Sequence, residues 1–257
     1  TTFQGSRPPR SSGNKDPWAL SAYVSWSGGK DSCLALWRTQ QSLSVRGLLT
    51  ALDETGLKTR SHGVSRELIE SQAESLGLEV LFIQASWETY ETEFVQALKD
   101  LSGRGVSHMV FGDIDLQAHR DWEEKVCAQA GLKAELPLWL EGRTALVEEF
   151  LALGFEAQVV CVDGRFLDAS FVGCPFDRTY LERLPSNVDH SGENGEFHTF
   201  VHAGPNFRTA VLWKSGGKYS YTAPEKFGGH SYHFDLLIRP KPSPLLIYPK
   251  AIHYCLN

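Results

Sequence analysis

The chain has 257 residues, a formal net charge of -6 and a pI near 5.8, so it lacks the broad basic footprint that phosphate backbones need and nucleic acid is a disfavoured partner. With 42% hydrophobic and 22% charged residues, 7 Trp and 14 Phe, it has ample material for a core, which excludes a disordered or low-complexity class and suits one large or two modest domains. The five cysteines, Cys33, Cys127, Cys161, Cys174 and Cys255, form no Cys-x-x-Cys pair. That argues against a zinc clip or a disulfide framework and for a reducing, cytoplasmic setting. Nothing resembles a membrane span or a secretory signal, so no membrane partner is expected.

Residues 1–20, with Pro8, Pro9, Ser11, Ser12 and Gly13, read as a disordered leader. From Tyr23 onward, short apolar runs end in Gly, Ser or Asp and lead into amphipathic stretches, the signature of a parallel sheet with crossover helices. Strands are expected near 22–26, 45–52, 79–84 and 108–112. Val64, Leu68, Ile69, Ala73 and Leu76 share one helical face, as do Tyr90, Phe94, Val95, Leu98 and Leu101. Another helix is expected over 117–130, closing at Gly131. The first domain, 21–140, ends around Pro137-Leu138-Trp139.

The second domain, 141–236, opens with an amphipathic stretch around Leu146, Phe150 and Leu153. A strand-like Ala157–Val162 follows, then mostly strands and turns, a smaller α+β unit. Pro240, Pro242, Pro244 and Pro249 make 237–257 an irregular tail.

The most informative segment is Ser27-Gly28-Gly29-Lys30-Asp31-Ser32, which joins an apolar strand to a helix that Asp31 or Ser32 opens. Turn N–H groups and the helix dipole favour phosphate, Lys30 adds a mobile cation, and the hydroxyls of Ser27 and Ser32 can donate. An ordinary turn and helix cap is the plainer alternative. It is not a Walker loop, because Val24 and Asp31 stand where that motif needs Gly and Ser or Thr.

Further on, Gly192-Glu193-Asn194-Gly195-Glu196 sets two carboxylates between glycines beside His198 and Thr199. Glu193 or Glu196 suits an ammonium ion, a proton or Mg²⁺, and His198 suits a base or an orienting group. A charged hairpin turn is the structural alternative. Gly112-Asp113 follows a strand end, where parallel sheets place ligand contacts, though Asp113 equally suits a helix cap. His62 reads either as a nucleotide contact or as a turn residue. Arg120 and Glu124 read first as an i,i+4 ion pair. Trp26, Trp87, Trp122 and Trp139 are assigned no chemistry.

The Ser-Gly-Gly-Lys-Asp-Ser loop resembles the PP-loop of the N-type ATP pyrophosphatases. With Ser61-His62-Gly63, Phe111–Ile114 and Gly192–Val201, the chain from about 22 to 212 resembles the diphthine–ammonia ligase family. The resemblance implies an α/β fold, a parallel-sheet adenine-nucleotide α-hydrolase (HUP-like) domain with a smaller α+β C-terminal domain. It implies an enzyme that cleaves ATP to AMP and pyrophosphate, activates diphthine on elongation factor 2, and amidates it with ammonium. Lys30, Glu193, Glu196 and His198 are then the catalytic candidates. Ser27, Gly28, Gly29, Lys30, Asp31, Ser32, His62, Gly112 and Asp113 are the nucleotide contacts, with Asp31 and Asp113 for Mg²⁺. Two positions depart from the family's pattern, Ser191 where Cys is usual and Cys174 where Arg is expected, and both lie in the substrate half. A small-molecule carboxylate acceptor and a non-catalytic nucleotide sensor stay as alternatives, a tRNA-modifying PP-loop enzyme is opposed by the net acidity, and a homodimer is left open.

Overall fold

The computed structural model describes residues 20–225 and 229–240. The expected leader, apart from Leu20, and the expected tail from residue 241 lie outside the described residues.

The chain enters with β1 (Ser21–Ser25) and α1 (Lys30–Thr39), followed by β2 (Ser44–Leu52), α2 (Arg66–Leu76), β3 (Glu79–Gln84), α3 (Tyr90–Gly103), β4 (His108–Val110), α4 (Gln117–Ala130) and β5 (Lys133–Glu135). The five strands form one parallel sheet in the order β3-β2-β1-β4-β5. The order reverses at β1 and β4, whose carboxyl ends therefore flank a crevice. Side chains alternate across the sheet. Ala22 and Val24 face one core with Leu34, Leu68 and Ile69 of α1 and α2, whereas Tyr23 faces the other with Phe94, Leu98 and Val126 of α3 and α4.

Glycine closes α2 at Gly77 and α4 at Gly131, both left-handed. The α4 bounds and its cap agree with the periodicity. Two local expectations need correction. The helix after the loop starts at Lys30, with Gly29 as its N-cap, rather than at Asp31 or Ser32, and Val64 precedes the Ser65 cap of α2 instead of lying within it.

The rest of the chain adds α5 (Arg143–Ala152), β6 (Glu156–Asp163), α6 (Arg178–Arg183), β7 (Phe197–Ala203), β8 (Lys214–Thr222) and β9 (Ser231–Ile238). The strands make an antiparallel sheet, β7-β6-β9-β8. The first core continues without a break into this part, taking in Leu146, Phe150, Val160, Phe197 and Phe200. The second sheet thereby packs on α1 and α2. β9 runs to Ile238 and buries Leu237, so regular structure persists past residue 237, where the irregular tail was expected. No helix among the described residues is long and apolar enough to cross a membrane.

Candidate active site

β1 delivers the chain to the crevice through buried Trp26, and the next residues turn sharply. Gly28 has φ +82°, and a Cβ there would lie 2.7 Å from Gln72 Oε1, so conformation and space both require glycine. Gln72 is fully buried. Its Oε1 accepts from Trp26 Nε1 at 2.9 Å, and its Nε2 donates to Gly28 O at 3.0 Å and Val201 O at 2.6 Å. The hydroxyls expected to donate to phosphate are engaged with each other and the loop. Ser32 Oγ donates to Gly29 O at 3.0 Å, Ser27 and Ser32 meet at 3.3 Å, and Gly29 N donates to Ser27 Oγ.

Lys30 is corrected from a mobile cation to a held one. It is 6% exposed, and its Nζ sits 2.6 and 2.8 Å from the Asp31 carboxylate. Its backbone N–H donates to Thr199 Oγ1 at 3.0 Å, so β7 of the second sheet closes directly on the start of α1.

Across the crevice, the 189–195 loop is shaped by Glu196. This carboxylate is 1% exposed and accepts from the backbone N–H of Asp189 and Asn194 and from Asn194 Nδ2. It was expected among the catalytic candidates; it does not line the cavity, and its bonds fix the course of the loop. Glu193 does line it, and burial, then the charge of Asp31, push its carboxyl up to about 7. Arg143, at the start of α5, holds both sides together. It grips Asp115 with two bonds of 2.7 Å, Asp189 at 2.5 Å and Asn194 Oδ1 at 3.3 Å.

His62 and His198 meet with ring centroids 4.5 Å apart and planes tilted by 39°. A Cβ on Gly29 would lie 2.8 Å from His62 Nε2, which seats the histidine against the loop. Burial, then Lys30, lower His198 to about 4; burial, then His198, lower His62 well below the ordinary imidazole value. Both rings are neutral at neutral pH, and His62 Nδ1 is buried without a hydrogen-bond partner among the described residues.

The third wall comes from β4 and α4. Gly112 passes so close to α1 that a Cβ would meet the Asp31 carbonyl carbon and Ser32 N at 2.9 Å, which brings Asp113 beside the loop. Asp113 Oδ1 lies 2.6 Å from His119 Nδ1. Glu123, one helical turn beyond His119, abuts Asp113; burial, then Asp113, push it up to about 10. Burial opposes ionisation of Asp113, but His119 and Glu123 outweigh it and its carboxyl is lowered.

These walls enclose a cavity of about 1030 Å³, at the upper end of ligand-site volumes. Ser27, Lys30, Asp31, Ser32, His62, Gly112, Asp113, Glu193 and His198 all line it. Gly28 and Gly29 shape the loop from behind. From the sequence, Glu123, His119 and Arg143 have no assigned part, Thr199 stands only as a neighbour of the glutamates, and Trp87 and Trp122, which line the cavity with Tyr90 and Phe94, are assigned no chemistry. A Thr-to-loop bond and a carboxyl on an ordinary helical face leave no local signal. Arg120 and Glu124 pair at 2.7 Å, with Arg120 over Trp139.

For Mg²⁺, no group of three or more His, Cys, Asp or Glu among the described residues is arranged to hold a metal. Asp31 fits a metal carried mainly by nucleotide phosphates, which takes only one or two protein carboxylates. Asp113 fits less well, since its Oδ1 is bonded to His119 and the oxygen beside Glu123 is all that remains for a further partner.

The diphthamide synthase N-terminal domain matches residues 21–134 and the diphthamide synthase C-terminal domain matches residues 143–223. No curated protein matches the chain. Among solved structures, a predicted subunit of tRNA methyltransferase from Methanocaldococcus jannaschii aligns with 17% identity and a TM-score of 0.38, covering 55% of this chain and 80% of that one.

Proposed function

The chain belongs to the diphthamide synthase family of PP-loop enzymes, and from that premise we propose that it is an AMP-forming amide ligase, which adenylates the carboxylate of diphthine on elongation factor 2 and amidates it with ammonium. The observation that carries the reading is the meeting of two distant motifs: the PP-loop is bonded to Thr199, and Glu193 faces the same cavity. An adenylating enzyme needs a phosphate cradle and a second reactant's groups within one water-poor space.

In this reading the turn N–H groups, the α1 N-terminus and Lys30 hold the β and γ phosphates. A carboxylate oxygen attacks the α phosphorus, the bond to the bridging oxygen breaks, and pyrophosphate leaves. Mg²⁺, held by the nucleotide and Asp31, would offset the developing charge. Ammonia then attacks the acyl carbon, AMP departs with the bonding electrons, and Glu193 takes the released proton, a task suited to a carboxyl near 7. The neutral His62–His198 pair flanks the loop as acceptor and orienting group. The free thiols Cys33, Cys127, Cys161 and Cys174 support a reducing cytoplasmic setting.

A small-molecule carboxylate is the second reading, favoured by the departures at Ser191 and Cys174. Ser191 is 1% exposed and donates to Asp189 Oδ2 at 2.7 Å, so the substitution alters the same loop that carries Glu193. The test incubates the protein with α-labelled ATP, Mg²⁺ and ammonium, with and without diphthine-bearing elongation factor 2. Labelled AMP formed only with the factor supports the ligase; AMP formed with other carboxylates instead redirects the acceptor. ADP or no cleavage overturns adenylation and leaves a nucleotide sensor.

A further inference from the structure

Helix α4 turns toward the cavity a carboxyl that the proposed reaction does not use. Glu123 is 3% exposed and lines the cavity. Apart from the Asp113 carboxyl it abuts, its Oε2 has no hydrogen-bond partner among the described residues. A buried oxygen in that position costs free energy unless something brings it a donor. Glu193 adds further negative potential from the opposite wall.

The neighbouring cations are committed elsewhere. His119 is bonded to Asp113, Arg120 to Glu124, Lys125 to Glu91 and Lys30 to Asp31. Arg60 lies over Trp87 and donates to the Ala85 carbonyl. The cavity wall beside Glu123 is aromatic, with Tyr90, Phe94, Phe111 and Trp122. A partner suited to this place brings N–H donors and tolerates ring surfaces, and a protonated nitrogen also favours the ionised form of Glu123 that burial and Asp113 suppress. A hard divalent ion lacks the ligand set, since no metal-holding group of His, Cys, Asp or Glu exists among the described residues.

We propose that Glu123 and Asp113, with the aromatic wall beside them, form a binding site for a small protonated nitrogen, ammonium or a primary amine. Under the ligase reading this site loads the nitrogen donor beside the adenylate. It holds the ion by charge-assisted hydrogen bonds to the two carboxyls; Glu123 takes one proton to free the ammonia lone pair, and Glu193 receives the second, released as the amide forms.

The test measures the thermal midpoint of the full chain with ammonium chloride, methylammonium chloride, potassium chloride or magnesium chloride, each against sodium chloride at equal ionic strength. Ammonium or methylammonium should raise the midpoint by roughly 3–5 °C at about ten times its Kd. A larger shift with methylammonium identifies a primary amine as the occupant. The shift should persist in Glu124→Gln and vanish in both Glu123→Gln and Asp113→Asn, the second variant guarding against a folding defect in the first. An undiminished shift in those two variants, an equal shift with potassium or magnesium, or no shift in the natural sequence overturns the site. An ammonium shift without labelled AMP in the nucleotide assay keeps the site and removes the ligase reading, so the two fail separately. Where AMP does form, Glu123→Gln should raise the KM for ammonium at least tenfold while leaving that for ATP in place.

Discussion

The backbone N–H of Lys30 donates to Oγ1 of Thr199 at 3.0 Å, joining the first residue of α1 to a strand 169 positions later. Because Thr199 is 2% exposed, Thr199→Val keeps shape and burial but leaves that N–H unmatched. The variant should lose about 1 kcal/mol of stability and weaken ATP binding as the loop loosens. Denaturant midpoints and nucleotide titration check this; unchanged ATP affinity would show that the bond is not needed for nucleotide binding.

Lys30→Met removes the buried ammonium while keeping an apolar stem. AMP formation should fall by about 10² to 10³ if the ammonium stabilises the departing pyrophosphate. Asp31 loses its partner at the same time, so the effect should appear in turnover more than in folding. Pyrophosphate release measured beside circular dichroism separates the two, and wild-type turnover in a folded variant would remove Lys30 from the phosphate site.

Arg143→Lys tests whether the 189–195 loop must be held in register with the first sheet. A lysine cannot reproduce the paired bonds to Asp115 while also reaching Asp189. A displaced Glu193 should lower turnover by up to about 10² while nucleotide affinity is kept. Steady-state kinetics and ATP titration on the same preparation decide it.

The pH dependence follows from buried carboxyls and a buried histidine whose shifts act with opposite sign, Glu123, pushed up to about 10, extending the trend of Glu193 to higher pH. Glu193 titrates at about 7 in the fold against an ordinary 4.5. The folded protein therefore keeps a proton the unfolded chain has lost, and stability falls as pH rises through that window. His198, lowered to about 4 from 6.5, contributes stability that is complete above its ordinary value and lost as pH falls toward 4. Urea unfolding from pH 4 to 8 should show stability falling as pH rises above 6.5, where His198 no longer adds to it, and Glu193→Gln should make that fall shallower while Glu123 keeps part of it. AMP formation should rise with pH through about 7 in the natural sequence, and a rise unchanged in Glu193→Gln would remove Glu193 as the proton acceptor.

Much of the first sheet was legible because its signals are local. The apolar runs that became β1 to β4 and the Gly131 cap sit within a few residues of the elements they define. The three-residue β5, with exposed Lys133 and Glu135 around Ala134, carries too little apolar pattern to be read. α6 rests on the Asp177 side chain accepting from Tyr180 N at 2.8 Å, a cap with no periodic stretch behind it. In the cavity, glycine spacing announced the PP-loop and the Glu193 loop. The different surroundings of Glu193 and Glu196 were hidden, because they depend on which carboxylate the backbone of 189–194 encloses. The contact of Glu123 with Asp113 was hidden as well, since the path from β4 into α4 is settled by tertiary packing.

The contact between Gly28 and β7 has a further effect on how the second sheet is bounded. Val201 faces away from β6 with both its backbone groups matched, its N–H donating to Gly28 O at 2.9 Å and its carbonyl accepting from Gln72. The 27–30 loop thus occupies the place another strand would take and keeps that margin from pairing with a foreign chain. Any large excursion of the loop would unmask strand hydrogen-bonding groups, so a protein that let this loop swing open would also become sticky.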